Sequence, residues 1–320
     1  MSNFICTEFG LIDWFRKRAA TRGRTVLGIG DDCAVLRFDP GLECVVTTDM
    51  LMDGRHFRLD RDGPEAAGFK ALGVNLSDIA AMACVPVAAV AAVALPRAGA
   101  VRIGQGVHSG MLALADRFGV DLVGGDTNAW DGPLVICITV LGQAVEGRGP
   151  VRRSGARPGD VICVTGALGG SLLGRHLRPE PRIAEALALH AAAPIRALID
   201  VSDGLAADLG HVLEESGHLG ATLDEGAIPI HPDALVQARE DGRSPLDHAL
   251  NDGEDFELIV VLAPEDATRL LAAPAAPAVL HRIGLVAREP GLWLRSPEGR
   301  LTAIEPRGFD HLRSSGKGRK

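Results

Sequence analysis

The chain has 320 residues, enough for two domains of ordinary size, and its composition of 47% hydrophobic and 23% charged residues excludes a largely disordered protein. A formal net charge of −8 argues against a nucleic-acid-binding surface, which requires clustered Lys and Arg. The longest apolar stretch, 85–95, is too short to span a bilayer, and the first residues do not resemble a signal peptide, so we expect a cytoplasmic protein with no membrane partner.

The first half of the chain alternates strand-like and helix-like patterns. In chain order we predict a strand at 43–47, a helix at 64–82, a strand at 87–95, a helix at 101–118 and strands at 120–123 and 134–141. Segments rich in Gly and Pro at 147–150 and 157–160 interrupt this alternation. They place a domain boundary near Gly147.

The second half repeats the alternation. We predict a strand at 161–165, then a glycine-rich turn and helix, a strand at 197–201, a helix at 204–215 with Ser202 as its N-cap, and a strand at 256–262. The pattern as a whole predicts an α/β (α+β) fold of two domains. We expect an N-terminal domain with a mixed sheet at 1–147, a C-terminal α/β domain at 148–313 and a disordered tail at 314–320.

Short acidic clusters are the most informative feature of the chain. We expect five of them where strands end, and a sixth opens a strand: 28–32, 47–49, 75–78, 124–126, 200–204 and 252–255. Mg²⁺ takes oxygen ligands and is usually held by one or two carboxylates, with substrate phosphates in its remaining positions. The clusters therefore predict phosphate chemistry that uses several Mg²⁺ ions.

Asp78 carries the most weight among these acidic residues. It lies in a segment that is otherwise almost entirely apolar, three residues after Asn75 and on the same predicted helix face. Burial of a lone carboxylate is costly unless the group is paired or binds a metal. Lys70, two helical turns away, is an imperfect partner, so we favour a functional role over a buried salt bridge.

Simpler interpretations of the other clusters stay open. The acidic segment 28–32 is as readily a surface turn as a ligand site, and the carboxylates of 47–49 and 200–204 could cap a turn or a helix. Arg153, near the domain boundary, could hold a phosphate in a forked contact or belong to a solvated linker. The chain has no P-loop motif, so we do not expect that type of nucleotide site.

Seven motifs form one ordered series along the chain: Gly28-Ile-Gly-Asp-Asp-Cys-Ala34, Asp53-Gly-Arg-His-Phe57, Lys70-Ala-Leu-Gly-Val-Asn-Leu-Ser-Asp-Ile-Ala-Ala-Met82, Gly124-Gly-Asp-Thr127, Arg153-Ser-Gly-Ala-Arg-Pro-Gly-Asp160, Ile199-Asp-Val-Ser-Asp-Gly-Leu205 and Gly253-Glu-Asp-Phe-Glu-Leu258. In this order they resemble the motifs of thiamine-monophosphate kinase. That family belongs to the superfamily of aminoimidazole ribonucleotide synthetase and selenophosphate synthetase. The resemblance covers nearly the whole chain.

The resemblance implies an activity, a set of partners and a set of site residues. The activity is ATP-dependent phosphorylation of thiamine monophosphate to thiamine diphosphate by Mg²⁺-assisted, direct in-line transfer. The assembly is a homodimer in which the N-terminal domains bind ATP and Mg²⁺ and join their sheets. The implied Mg²⁺ ligands are Asp32, Thr47, Thr48, Asp49, Asp78, Asp126, Asp200 and Asp203. The implied ATP contacts are Gly125, Asp126, Arg153, Ser202 and His108. The implied thiamine contacts are His56 and Glu254, and the implied catalytic residues are Asp49, Asp126 and Asp203.

Three positions depart from the pattern of this family. Asp252 stands where the family usually has Gly, His108 where it often has Tyr, and Pro306 near the place of a substrate-contacting aromatic residue. These changes affect the expected contacts to the nucleotide base and the thiazole ring. The expected metal and phosphate ligands are all present.

Two alternatives remain at this stage. The first is a related ATP-dependent enzyme of the superfamily that acts on a different phosphorylated acceptor. A selenophosphate synthetase would need a reactive Cys in a glycine-rich loop, which Cys6 lacks. The second is a non-catalytic paralogue that binds Mg²⁺ and nucleotide, or a dimeric scaffold.

Overall fold

The computed structural model describes residues 8–29, 33–272 and 279–305. Asp32, Pro306 and the tail at 314–320 lie outside these residues, so the expectations about them stay predictions. The described residues divide into two compact units. One falls within Met1–Val151 and Gly174–Ala191, the other within Arg152–Leu173 and Ala192–Lys320.

The first unit consists of a four-stranded sheet, a two-stranded sheet and four helices. Its elements in chain order are α1 (Glu8–Arg16), β1 (Thr25–Leu27), β2 (Val35–Leu36), β3 (Cys44–Met52), α2 (Leu59–Ala81), β4 (Val85–Pro96), α3 (Ala100–Phe118), β5 (Asp121–Trp130), β6 (Val135–Gln143), a 3₁₀ turn (Arg175–Leu177) and α4 (Ile183–Ala192). The predicted helix at 101–118 is therefore confirmed almost to the residue. Strands β3 and β5 are longer than their apolar runs indicated.

The four-stranded sheet is mixed, as expected. Its strand order is β3-β6-β4-β5, with only β4 and β5 parallel. Helix α2 packs against β3 and β6, where Val45, Ile138 and Val140 are buried. On the opposite side of β3, Val46 and Met50 are exposed by 62% and 58%. One face of this sheet is thus covered by helix, and the side chains of β3 on the other face are open.

The second unit is built on a seven-stranded sheet. Its elements are β7 (Val161–Val164), a 3₁₀ turn (Ser171–Leu173), β8 (Ile195–Asp200), α5 (Leu205–Glu215), β9 (Gly220–Asp224), a 3₁₀ turn (Glu225–Ala227), α6 (Pro232–Asp241), α7 (Pro245–Asn251), β10 (Leu258–Leu262), α8 (Pro264–Ala272), β11 (His281–Ala287), β12 (Gly291–Arg295) and β13 (Leu301–Ala303). The strand order is β13-β12-β9-β11-β7-β10-β8. Strands β7 and β10 are buried along their whole length and form the centre of the core.

Three local predictions are corrected by the structure. The clusters 47–49 and 124–126 lie inside β3 and β5 rather than at strand ends, because pairing with β6 and β4 continues past them. Helix α2 begins at Leu59, with a break at Gly63 just before Pro64. A short 3₁₀ turn replaces the helix predicted after β7. Of the described helices, none is long and apolar enough to cross a membrane.

Candidate active site

Two carboxylates, Asp49 on β3 and Asp78 on α2, lie where α2 packs over β3. The hydroxyl of Thr47 on β3 donates a hydrogen bond to Oδ2 of Asp78 on α2. Asp49, two residues further along β3, lies on the same face of the strand. Burial, followed by the charge of Asp78 and a hydrogen bond with it, raises the pKa of Asp49 to about 7. The structure therefore brings together three of the predicted metal ligands.

This pair has the chemistry of a Mg²⁺ site. Burial and the nearby Asp78 both disfavour the charged form of the Asp49 carboxylate, and a cation between the two groups would remove the repulsion. One turn before Asp78, the wholly buried Asn75 has a side-chain oxygen with no hydrogen-bond partner. Within the described ranges, no group of three or more His, Cys, Asp or Glu residues forms a ready-made metal shell. The residues thus fit an ion whose remaining ligands are water and substrate phosphate.

Thr48 and Asp126 are not part of this pair. The Thr48 hydroxyl bonds instead to the carbonyl of Ile138, at 3.1 Å, on the opposite side of β3. Asp126 lies on β5, three strands away from β3, where its carboxylate accepts a hydrogen bond of 3.0 Å from Asn128. Within one chain, Asp49 and Asp126 therefore lie on the two opposite edge strands of this sheet.

Gly125 is required by the close approach of β5 to β4. Its φ is +155°, and a Cβ atom there would lie 1.9 Å from the carbonyl oxygen of Ala91. Any side chain would collide with the neighbouring strand, so the position requires glycine. This glycine and Asp126 are among the residues that line a cavity.

The cavity has a volume of about 130 Å³ and lies between β5 and α3. His108 of α3 lines it and is only 4% exposed, yet neither ring nitrogen has a hydrogen-bond partner. The imidazole stacks on Phe15, with ring centroids 4.6 Å apart. Burial, and secondarily the charge of Arg18, lowers the pKa of His108 to about 4. The ring is therefore neutral near pH 7, with one donor and one acceptor for a ligand.

His56 lies in the turn that follows β3. Its Nδ1 accepts a hydrogen bond of 3.0 Å from the backbone of Met52, so the proton of the neutral ring is on Nε2. The carbonyl oxygen of His56 accepts a bond of 2.7 Å from Nζ of Lys70. Lys70 is fully buried and also contacts Nδ1 of His176 at 2.9 Å. Lys70 thus supports the His56 turn.

In the second unit, Asp208 organises the cluster 200–204. Its Oδ2 accepts hydrogen bonds of 3.0 Å from the backbone N–H groups of Ser202, Asp203 and Gly204. The N-cap of α5 is Gly204, so the prediction of Ser202 as N-cap is wrong. Burial, then the charges of Asp200 and Asp203, raises the pKa of Asp208 well above its usual range. Asp208 was not among the predicted site residues, although an acidic residue in a first helical turn is a recognisable signal.

Glu254 lies beside Ser202 in the same unit. Its backbone N–H donates to the carbonyl oxygen of Ser202 at 2.8 Å. Gly253 permits this contact, because a Cβ atom there would lie 2.5 Å from the same oxygen. Arg153 is exposed. The preceding residue, Arg152, is tied to β8, because its carbonyl oxygen accepts a hydrogen bond of 3.0 Å from the backbone N–H of Leu198. The second unit therefore places an expected ATP contact and an expected thiamine contact side by side.

Comparisons with known proteins identify the family. The model of the AIR synthase related protein N-terminal domain matches residues 30–144, and that of the C-terminal domain matches 157–295. The thiamine-monophosphate kinase of Rhodopirellula baltica is 42% identical over 311 residues, which cover 95% of this chain and 97% of that protein. The chain belongs to the thiamine-monophosphate kinase family. The resemblance drawn from the motifs is thereby confirmed.

Solved structures of this family share the fold. The crystal structure of thiamine-monophosphate kinase from Stenotrophomonas maltophilia K279a is 37% identical, with a TM-score of 0.76 over 90% of this chain and 96% of that one. A structure described as AaThiL complexed with AMPPCP and TMP is 27% identical, with a TM-score of 0.74 over 95% of this chain and 96% of that one. The predicted two-domain α/β fold is confirmed.

Proposed function

We propose that this protein transfers the γ-phosphoryl group of ATP to thiamine monophosphate and so forms thiamine diphosphate. The observation that carries this proposal is the relative complexed with AMPPCP and TMP, which covers 95% of the chain. AMPPCP is an ATP analogue whose terminal bridge resists transfer, so that relative holds a donor analogue together with TMP. The reaction takes place in the cytoplasm, where ATP is available.

Mg²⁺ is held by the carboxylates of Asp49 and Asp78 in the first unit, with the hydroxyl of Thr47 beside them. The crowding of the two carboxylates supports this assignment. Further ions are bound with the help of Asp32, Thr48, Asp126, Asp200 and Asp203. When bound, Mg²⁺ neutralises phosphate charge and lets two polyanions approach.

The protein residues bind and orient the two substrates. Gly125, Asp126 and His108 contact ATP in the cavity beside β5, and Arg153 and Ser202 contact its phosphates. His56 and Glu254 contact the thiamine part, where a carboxylate suits a cationic ring. The acceptor is a phosphate oxygen that is largely deprotonated near neutral pH, so the in-line transfer needs no general base.

The protein forms a homodimer through the four-stranded sheet of its first unit. Strands β3 and β5 each pair with one neighbour among the described residues, and Val46, Met50 and Trp130 are exposed on them. An open edge beside exposed apolar side chains is a surface that association would cover. A second copy has the matching edges.

The first test is direct. Purified protein is incubated with ATP, Mg²⁺ and thiamine monophosphate, and thiamine diphosphate is followed by chromatography, with EDTA and no-acceptor controls. We expect product that EDTA abolishes. No product, together with Mg²⁺-dependent ATP binding, would refute the acceptor assignment and favour another acceptor or a non-catalytic protein.

The metal assignment is tested with Asp49→Asn and Asp126→Asn. Each should lower kcat about 100-fold or more, the size of loss typical when a contact to developing charge is removed. The melting temperature should not fall, because neither change removes packing. Asp131→Asn, at an 83% exposed side chain of the same unit, is the matched control and should retain full activity. An active double variant would overturn the assignment.

A further inference from the structure

The segment 252–257 between α7 and β10 has an unfavourable backbone conformation. Glu254 and Phe256 both have positive φ, at 53° and 54°, and Gly253 precedes them at 73°. A side chain with a Cβ atom rarely adopts this region, and such residues persist only where their surroundings hold them. Glu254 therefore depends on neighbouring contacts for its position.

Asp252 supplies several of those contacts. Its side chain is only 2% exposed. Oδ1 accepts a hydrogen bond of 2.8 Å from Arg243, which follows α6, and Oδ2 lies 2.7 Å from Nδ1 of His248 on α7. Oδ2 also accepts a bond of 3.3 Å from the backbone of Gly170. The Asp252 carboxylate thus contacts α7, the connection between α6 and α7, and the glycine turn after β7. These contacts hold the chain two residues before Glu254.

The same network extends to both sides of Asp252. His248 is wholly buried and its Nε2 lies 3.2 Å from Asp241, while Nε of Arg243 donates to Asp247 at 2.6 Å. On the far side of Glu254, Asp255 accepts bonds of 3.0 Å and 2.9 Å from the backbone of Gly169. Two acidic residues therefore bind adjacent glycine amides and flank Glu254.

We propose that Asp252, held by His248 and Arg243, is a positioning residue that fixes the backbone at Glu254 and thereby sets the affinity for the cationic ring of the acceptor. This inference rests on the proposed function, in which Glu254 contacts the thiamine part. Asp252 acts through Glu254 and touches no reacting atom. The charge of Asp252 is thus part of how this chain holds its acceptor.

The test uses Asp252→Asn, which keeps the shape and removes the charge. We expect the KM for thiamine monophosphate to rise about 10-fold, equivalent to about 1.4 kcal/mol, with kcat and the KM for ATP nearly unchanged. Amide hydrogen exchange should become faster at Glu254 and Phe256, which donate to Ser202 and Val201. Glu240→Gln, at an exposed acidic residue of α6, makes the same acid-to-amide change outside this network and is the matched control with near-normal KM.

A double-mutant cycle separates positioning from a general effect on the fold. Glu254→Gln keeps the side-chain length but removes the negative charge that contacts the cationic ring of the acceptor in the proposed function. In that background, Asp252→Asn should have little further effect on the KM. If Asp252→Asn does not fold, His248→Asn takes its place, because it leaves the pair of Asp252 and Arg243 intact.

Each remaining outcome decides the inference. An unchanged KM for thiamine monophosphate, an equal rise in the KM for ATP, or full additivity with Glu254→Gln would overturn it. A wild-type protein that forms no thiamine diphosphate refutes the proposed function instead. In that case the amide exchange decides alone, and unchanged exchange at Glu254 would overturn the positioning role.

Discussion

His108 is a buried imidazole that makes ring contacts but has no hydrogen-bond partner. Its ring is stacked on Phe15, and a second aromatic ring, that of Trp14, meets it edge-on at 5.5 Å. Arg18, in the turn that follows α1, is the charged group that acts on it, and Asp126 also lines the cavity. Both burial and Arg18 disfavour protonation of His108, so the imidazole binds a proton less readily in the folded protein than in the unfolded chain.

This resistance makes the free energy of unfolding depend on pH. The pKa of His108 falls from 6.5 to about 4 on folding. Its stabilising contribution is therefore complete above pH 6.5 and is lost as the pH falls toward 4, by about 3 kcal/mol at most. Urea unfolding at pH 7 and pH 5 measures this effect. The free energy of unfolding should differ less between the two pH values in His108→Phe than in the wild type.

The exposed His211 on α5 provides the control for this measurement. His211→Gln should leave the difference between pH 7 and pH 5 as it is in the wild type. An equal pH dependence in His108→Phe and wild type would show that His108 does not resist protonation in the folded protein.

At the scale of elements, helices α2 and α3 pack through glycines. A Cβ atom at Gly68 of α2 would lie 2.0 Å from the carbonyl oxygen of Val107, and one at Gly110 of α3 would lie 2.0 Å from that of Glu65. The backbones therefore touch at two points. This contact links the helix that carries Asp78 to the helix that carries His108.

Gly110→Ala should force the two helices apart. Overpacking of this kind costs about 1–3 kcal/mol, occasionally more, and here the colliding atom is backbone that cannot rotate away. Thermal unfolding should therefore show a clear loss of stability despite the higher helix propensity of Ala. Ser109→Ala, one residue earlier and exposed, is the matched control and should be neutral or slightly stabilising. A Gly110→Ala protein as stable as this control would contradict the packing.

Sequence patterns predicted most elements, because their periodicity is local. The helix at 101–118 follows from residue spacing, and the strand at 87–95 follows from a run of Ala and Val closed by Pro96. Strands β3 and β5 were predicted too short, since their polar residues are held in the sheet by pairing with β6 and β4. Local propensity contains no information about those partners.

The candidate site was predictable where a single residue was anomalous in its surroundings. Asp78 was identified as a carboxylate within an apolar helix, without reference to any partner. Its contact with Thr47, 31 residues earlier, depends on how α2 lies over β3, which no local pattern records. The network around Asp252 likewise joins segments up to 82 residues apart. Such contacts become visible only with the tertiary structure.

At the scale of the whole molecule, the sheet of the first unit is the surface through which we propose that two copies associate. Val46, Met50 and Met52 are exposed by 62%, 58% and 40% along β3, an edge strand, and Trp130 at the end of β5 is exposed by 44%. Natural sheets rarely leave such edges open, because they pair with other chains. Joining the edges of two copies would bring β5 of one protomer, which carries Asp126, toward β3 of the other, which carries Asp49.

Val46→Lys tests this assembly, because it places a charge on the exposed face of β3. The wild type should sediment at twice the mass of one chain at micromolar concentration, and the variant should shift toward the monomer since a buried Lys in the interface would lack a partner. Leu235→Lys, at a 46% exposed position of α6 in the second unit, is the control and should remain dimeric. Activity should fall with dimer content if Asp49 and Asp126 of different protomers act together. A wild-type protein that is monomeric and active would contradict both the dimer and the shared site.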